Sequence, residues 1–209
     1  MSKCKCPKGA ALTEIPADAD CPTNLEQVQK FVFQRKGYQF QAAGDPATDP
    51  SKKADWLALL AAVGDTKAVA TPLIGGDPVI TPGEPITSGG GGNDTLNGVE
   101  EVNGVNPSIF TGNFKSLASA TKRAMTDLGC EDLVVYFVNQ YNQIAANEIS
   151  EGVFEGFPIS NFFISDRGNN GFGTKDTFAF RFSLAPRWDD YLVLITPEAG
   201  FRPLVDLTT

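Results

Sequence analysis

The glycine run Gly89 to Gly92, continued by Asn93, Asp94, Thr95, Leu96 and Asn97, is the first place to look for chemistry in this 209-residue chain. It fits one copy of the G-G-x-G-x-D-x-U-x nonapeptide, in which each calcium ion is held between the turns of successive repeats. The sequence has no second copy. A single turn leaves most of an oxygen shell of roughly six to eight ligands unfilled, so a calcium-binding module is an alternative and no metal is expected. The glycine run lacks the Gly-Lys-Ser/Thr that would make it a phosphate loop. Gly168-Asn169-Asn170-Gly171-Phe172-Gly173 lies between strand-like segments and reads as a hairpin loop.

Catalysis fares no better. The chain contains no histidine, which removes imidazole-based nucleophilic triads, His-ligated zinc and most general-base chemistry near neutral pH. Glu100-Glu101, Glu131-Asp132 and Asp189-Asp190 are adjacent pairs, and neighbours on a strand point to opposite faces, so none forms a glycosidase-type dyad by itself. Cys4, Cys6, Cys21 and Cys130 offer one C-x-C without a second pair, a pattern of free thiols and not of a zinc site. With 17 basic against 25 acidic side chains, net charge is −8, contrary to a phosphate-gripping surface. No apolar run reaches the roughly 18 residues of a membrane helix, and the charged start, Met1 to Gly9, shows no secretory signal. The reading is a non-enzyme with no cofactor.

The elements around these segments carry more information. Residues 1–29 read as an N-terminal arm punctuated by Pro7, Pro16 and Pro22. Lys30 to Arg35 is aromatic and β-branched, a strand continued by Tyr38 to Gln41. Asp49 and Pro50 propose a helix start, with Trp56, Leu59, Leu60 and Val63 at helical spacing and Gly64 as its stop. Lys67 to Ile74 is a further strand. Residues 75–98 form a Gly/Pro-rich loop with few apolar groups, so its order is expected to come from a neighbour. A flanking helix is predicted over Ser116 to Leu128, with Leu117, Ala120, Ala124 and Leu128 on one face and Gly129 as cap.

After that helix the chain reads as β: Leu133 to Val138, Gln143 to Ala146, Phe157 to Ser165, Thr177 to Leu184 and Tyr191 to Thr196. Phe178, Phe180 and Phe182 alternate with Ala179, Arg181 and Ser183, giving one apolar face. Leu133 to Val138 and Tyr191 to Ile195 are apolar at every position, as in strands buried on both faces. One flanking helix covers only part of the second face, which points to assembly. The fold class is mostly β (α+β), a β-sandwich or open barrel over residues 30–197, with a C-terminal arm at 198–209.

The segments Cys130-Glu131-Asp132-Leu133-Val134-Val135-Tyr136-Phe137-Val138, Phe157-Pro158-Ile159, Phe162 to Asp166, Phe178 to Phe182 and Trp188 to Pro197 together resemble structural proteins of tailed bacteriophages. Thr23-Asn24-Leu25, Gln29, Phe33-Gln34-Arg35 and the Gly-rich segment leading into Glu100-Glu101 extend the likeness from about Cys21 onward. It is most similar to a tail tube protein of phages of Bacteroidetes-type hosts. The resemblance implies a virion protein assembled in the host cytoplasm. Its subunits form hexameric rings that stack into a tube beside other tail proteins, and genomic DNA passes without sequence-specific binding or membrane insertion of the subunit. A neck ring, adaptor or capsid accessory protein is the alternative in the same class. The residues expected at subunit or ring contacts are Gly90, Gly92, Asn93 and Asp94 in the loop, and Phe201, Pro203 and Leu204 in the C-terminal arm.

Overall fold

Alternation of large apolar side chains builds two sheets that face each other through a layer of phenylalanines. A computed structural model describes residues 24–44, 46–91, 98–169 and 171–208. In chain order the elements are β1 Val28–Arg35, β2 Phe40–Gln41, α1 Lys53–Ala61, β3 Ala68–Ala70, β4 Ile74–Thr81, β5 Pro85–Ser88 and β6 Glu101–Val105. They continue with β7 Ser108–Lys115, α2 Ser119–Asp127, β8 Leu133–Asn139, β9 Ile144–Ser150, β10 Val153–Glu155 and β11 Phe157–Ile164. The last are β12 Thr177–Leu184, β13 Leu192–Ile195 and α3 Pro203–Asp206. The fold is mostly β, as the sequence predicts.

Every strand pairing is antiparallel. The first sheet runs β3-β1-β8, with β9, β10, β13 and β2 continuing beyond β8. The second runs β4-β7-β12-β11. β11 belongs to both: Phe157 and Pro158 pair with β8, and Ile159 to Ile164 pair with β12. Between the sheets, Phe31 of β1 meets Phe110, Phe180 and Phe182 at ring-centroid distances of 5.1, 5.3 and 5.4 Å, nearly edge-on. That geometry suits the ring quadrupole and adds to the area buried.

The second face of β8 was expected to need a neighbouring subunit, and here the structure differs. Val134, Tyr136 and Val138 pack against Trp56 and Leu59 of α1, Phe40, and Phe201 and Leu207 near the C-terminus, all buried. The helix that covers this face is α1 and not α2, and the C-terminal residues expected at subunit or ring contacts complete the layer within the chain. Their apolar side chains find a partner in the chain's own sheet. Lys30, buried on β1, donates through Nζ to the carbonyls of Leu204 and Leu207 at 2.6 and 2.8 Å. β13, read as buried on both faces, is half-buried along its length and, among the described residues, pairs only with β9.

Local signals were altered by competing contacts. α1 begins at Lys53 without a side-chain cap. Asp49 Oδ1 instead accepts from the Ser51 amide at 2.8 Å, and the Pro50 carbonyl accepts from Trp56 Nε1. α2 is shorter than predicted and runs into a 3-10 turn over Leu128–Cys130. Its buried residue is Met125, whereas Ala120 and Ala124 are exposed. Gly129 sits in that turn, where a Cβ would lie 2.9 Å from the Phe162 carbonyl oxygen. Close approach, and not a left-handed cap, explains the glycine.

Candidate assembly interface

Residues 75–98, read as one loop, contain most of β4 and the whole of β5, the latter one strand of a hairpin completed by β6. β4 tolerates Gly75, Gly76 and Pro78 because they occupy a register shift between Gly75 and Val79, on a strand that among the described residues pairs with β7 alone. Proline lacks a ladder donor and is accepted at such edges. Among the described residues β5 and β6 then take each other as strand partners. The root of this hairpin is tight: the Asn106 amide donates to the Glu84 carbonyl at 2.9 Å, and a Cβ on Gly83 would lie 1.7 Å from the Asn106 carbonyl oxygen. Beyond the root, Ile86, Val102 and Val105 are exposed at 48%, 65% and 47%. A two-stranded ribbon with its apolar side chains in water is marginal alone.

The second sheet has a related property. Its inner face carries Phe110, Phe114, Phe178, Phe180 and Phe182, all buried, and its outer face carries Thr111, Asn113, Lys115, Ala179, Arg181 and Ser160 with one large apolar group, Phe163. Among the described residues, neither β4 nor the Ile159–Ile164 part of β11 has a strand partner on its outer edge. Unpaired edges present rows of backbone donors and acceptors. The β4 edge is thus without a strand beside it, whereas the 3-10 turn at Gly129 lies against the β11 edge at the Phe162 carbonyl.

The expected contact residues fall in different places. Gly90 is exposed at φ 80° between β5 and β6, and its amide donates to the Gly98 carbonyl at 3.1 Å. Gly92, Asn93 and Asp94 lie outside the described residues, as does most of the nonapeptide match. Phe201 and Pro203 are buried within the subunit, and Leu204 packs partly against the same layer. The structure therefore brings the C-terminal set together inside one chain and keeps Gly90 apart from it. Sequence reading missed the hairpin because Val102 and Val105 stand three residues apart, off the two-residue period of a strand, and only the register shift between Ile86 and Thr87 reconciles that spacing with pairing. Among the described residues no group of three or more His, Cys, Asp or Glu could hold a metal ion.

Ion pairs fasten both ends of this architecture. Arg35 on β1 holds Glu131 through two hydrogen bonds of 2.9 and 2.7 Å, and Asp65 at 2.6 Å. The Arg35 hydrogen bond holds the Glu131 carboxyl below its ordinary 4.5, and Lys53 holds Asp206 below 3.8. Both carboxylates bind protons more weakly in the folded chain than in the unfolded one. Their contribution is therefore complete above about pH 4.5 and is lost as pH falls through the lowered folded values. Urea midpoints measured from pH 7 to pH 3 should fall below pH 4.5, and Glu131→Gln with Asp206→Asn should flatten that decline. An unchanged slope in the double variant would show that other groups control acid sensitivity.

No family model matches the chain, and no curated protein matches it. Among solved structures the chain is similar to one in the tail of an empty GTA particle, computed with helical refinement and C6 symmetry. The two share 13% identity over 57% of this chain and 80% of that one, with a TM-score of 0.33, a likeness too slight to fix fold or function.

Proposed function

We propose that this protein is a non-catalytic structural subunit of a phage tail, one that self-assembles into rings stacked as a tube for DNA. The observation that carries the reading is the sheet β4-β7-β12-β11, apolar on its inner face, largely polar on its outer face and, among the described residues, without a further strand beyond β4 or beyond the Ile159–Ile164 part of β11. Pairing the β4 edge of one copy with the β11 edge of the next continues the ladder from subunit to subunit, and a closed ring leaves no edge exposed. The polar face then lines the lumen. Its charges are mixed, with Asp77, Lys115 and Arg181 exposed, and the chain's net charge of −8 opposes adhesion of nucleic acid.

The sequence resemblance to tail tube proteins supports the same reading, and hexameric rings are the form it implies. Negative-stain microscopy of the purified protein provides the test. Hollow polymers of uniform width are expected on concentration. Rings that never stack would replace the tube with a neck or adaptor role, and a persistent monomer under all conditions would defeat the assembly reading.

A further inference from the structure

A trough runs between β3 and α2. Its wider part encloses about 360 Å³, with Val69, Thr71 and Pro72 on one wall and Ala120, Ala124 and Met125 on the other. It shares Val69 and Leu128 with a second hollow of about 300 Å³ that continues to Gly64, Lys67 and Glu131. The trough therefore follows the outer edge of β3. The Thr71 amide donates to the Phe31 carbonyl at 2.9 Å, and two residues along Val69 stands opposite Phe33. Hydrogen bonds alternate along an antiparallel strand, so the N–H and C=O of Ala68 and Ala70 point away from β1, toward the trough. Among the described residues β3 pairs only with β1, and these four groups meet no strand. Ala68 and Ala70 are nevertheless buried, at 1% and 4%, and buried backbone groups are almost always paired.

The chain ahead of Asn24 is within reach of this edge and has the complementary character. Residues 1–23 precede the described residues. Phe31, whose carbonyl holds Thr71, lies at most about 25 Å along the chain from Asn24, and residues 16–23 span up to about 27 Å. Whatever precedes Pro16 can therefore enter the trough at its Thr71 end. Leu12 and Ile15 are, with Met1, the large apolar side chains of residues 1–23, and they fall in Ala10–Ile15, a run without glycine, proline or charge apart from Glu14. Residues 9–23 carry Glu14, Asp18 and Asp20 and no lysine or arginine. The trough walls are apolar, and Lys67 and Arg123 stand exposed on its two flanks.

We propose that residues 10–15 dock in the trough of their own chain as a strand added to the β3 edge. The backbone pairs with Ala68 and Ala70, as when an extended peptide joins an open sheet. Ala11, Thr13 and Ile15 share one face of the segment, small enough to pass beside Ala120 and Ala124. The acids on either side of Pro16 balance Lys67 and Arg123. The short tether holds the segment at an effective concentration in the millimolar range, which favours its own trough over another copy's in dilute solution. An edge occupied in this way is closed to stray strands. The contact lies within one chain and does not rest on the tube reading.

Crosslinking and amide exchange on the full-length protein test this. With the four native cysteines changed to serine, a chain carrying Thr13→Cys and Ala124→Cys is treated with a short bismaleimide at low protein concentration. A link within the monomer, located by peptide mapping, is expected. The pair Thr13→Cys and Ile149→Cys, the latter exposed on β9, should link at least roughly tenfold less. In the wild-type chain the Ala68 and Ala70 amides should exchange with deuterium at least roughly tenfold more slowly than in a chain lacking residues 1–15, while the β8 amides, the measure of an intact fold, exchange alike in both. Should the truncation disturb β8, the crosslinks alone decide. Equal linking in the Ile149→Cys chain, no link to position 124, or exchange at Ala68 and Ala70 untouched by the truncation overturns the proposal. Links found only between chains overturn it too, and assign the trough to a second copy.

Discussion

Deleting residues 201–209 should unfold the isolated subunit, or leave it without a cooperative transition in urea. The truncation removes Phe201 and Leu207, exposed at 4% and 0%, from the layer over β8. At about 2 kcal/mol for each large apolar side chain, the burial lost is about 4 kcal/mol. Lys30 also loses the two carbonyls that accept its Nζ hydrogens, and a buried donor left without partners costs about 1–3 kcal/mol more. The sum rivals the 5–15 kcal/mol that typically separates folded from unfolded domains. Lys53 loses Asp206 as well, a minor term because Lys53 is 39% exposed and screened by solvent. A truncated chain that melts at the wild-type midpoint would show that this segment is dispensable for the subunit and free for other contacts.

The second large effect is expected at Phe31. Its ring lies within 5.8 Å of the rings of Phe33, Phe110, Phe137, Phe180 and Phe182 and is fully buried. These neighbours belong to both sheets and cannot all move inward together, so Phe31→Ala leaves a cavity. Such truncations cost about 3–5 kcal/mol, and a site with rigid aromatic walls belongs at the upper end. Phe163→Ala is the control, because Phe163 is 57% exposed on the outer face of β11, and its effect should stay within about 0.5 kcal/mol. Urea midpoints of the two variants decide the matter. Similar losses would mean that the outer face carries packing the isolated subunit does not show.

The strands were legible because their side chains repeat with the period of the backbone. The Phe178, Phe180, Phe182 alternation placed β12 to the residue, and the unbroken apolar run of β8 correctly signalled two covered faces. What covers the second face was not legible. Trp56 and Leu59 announce a helix with a buried side, but nothing in their spacing says which sheet they meet, and Phe201 lies more than sixty residues beyond the strand it covers. Caps and breakers misled for a related reason. Asp49 has the right chemistry for an N-cap and used it on a turn instead. The glycines and prolines of 75–98 announced a loop, although edge strands accept both. Of the expected contact residues, Phe201 and Pro203 were read as adhesive because they are apolar, and apolarity alone does not distinguish an internal partner from an external one.

β8 is held between two apolar layers, Val135 and Phe137 in one and Val134, Tyr136 and Val138 in the other, and β1 repeats the arrangement with Phe31 and Phe33 against Val32. Neither layer can come apart while the other stays intact, because each would have to release the same two strands. The molecule consequently has no fracture plane between these two layers. Heat or denaturant should dismantle it in one step, and the amides of β8 should exchange with deuterium only when the whole chain opens.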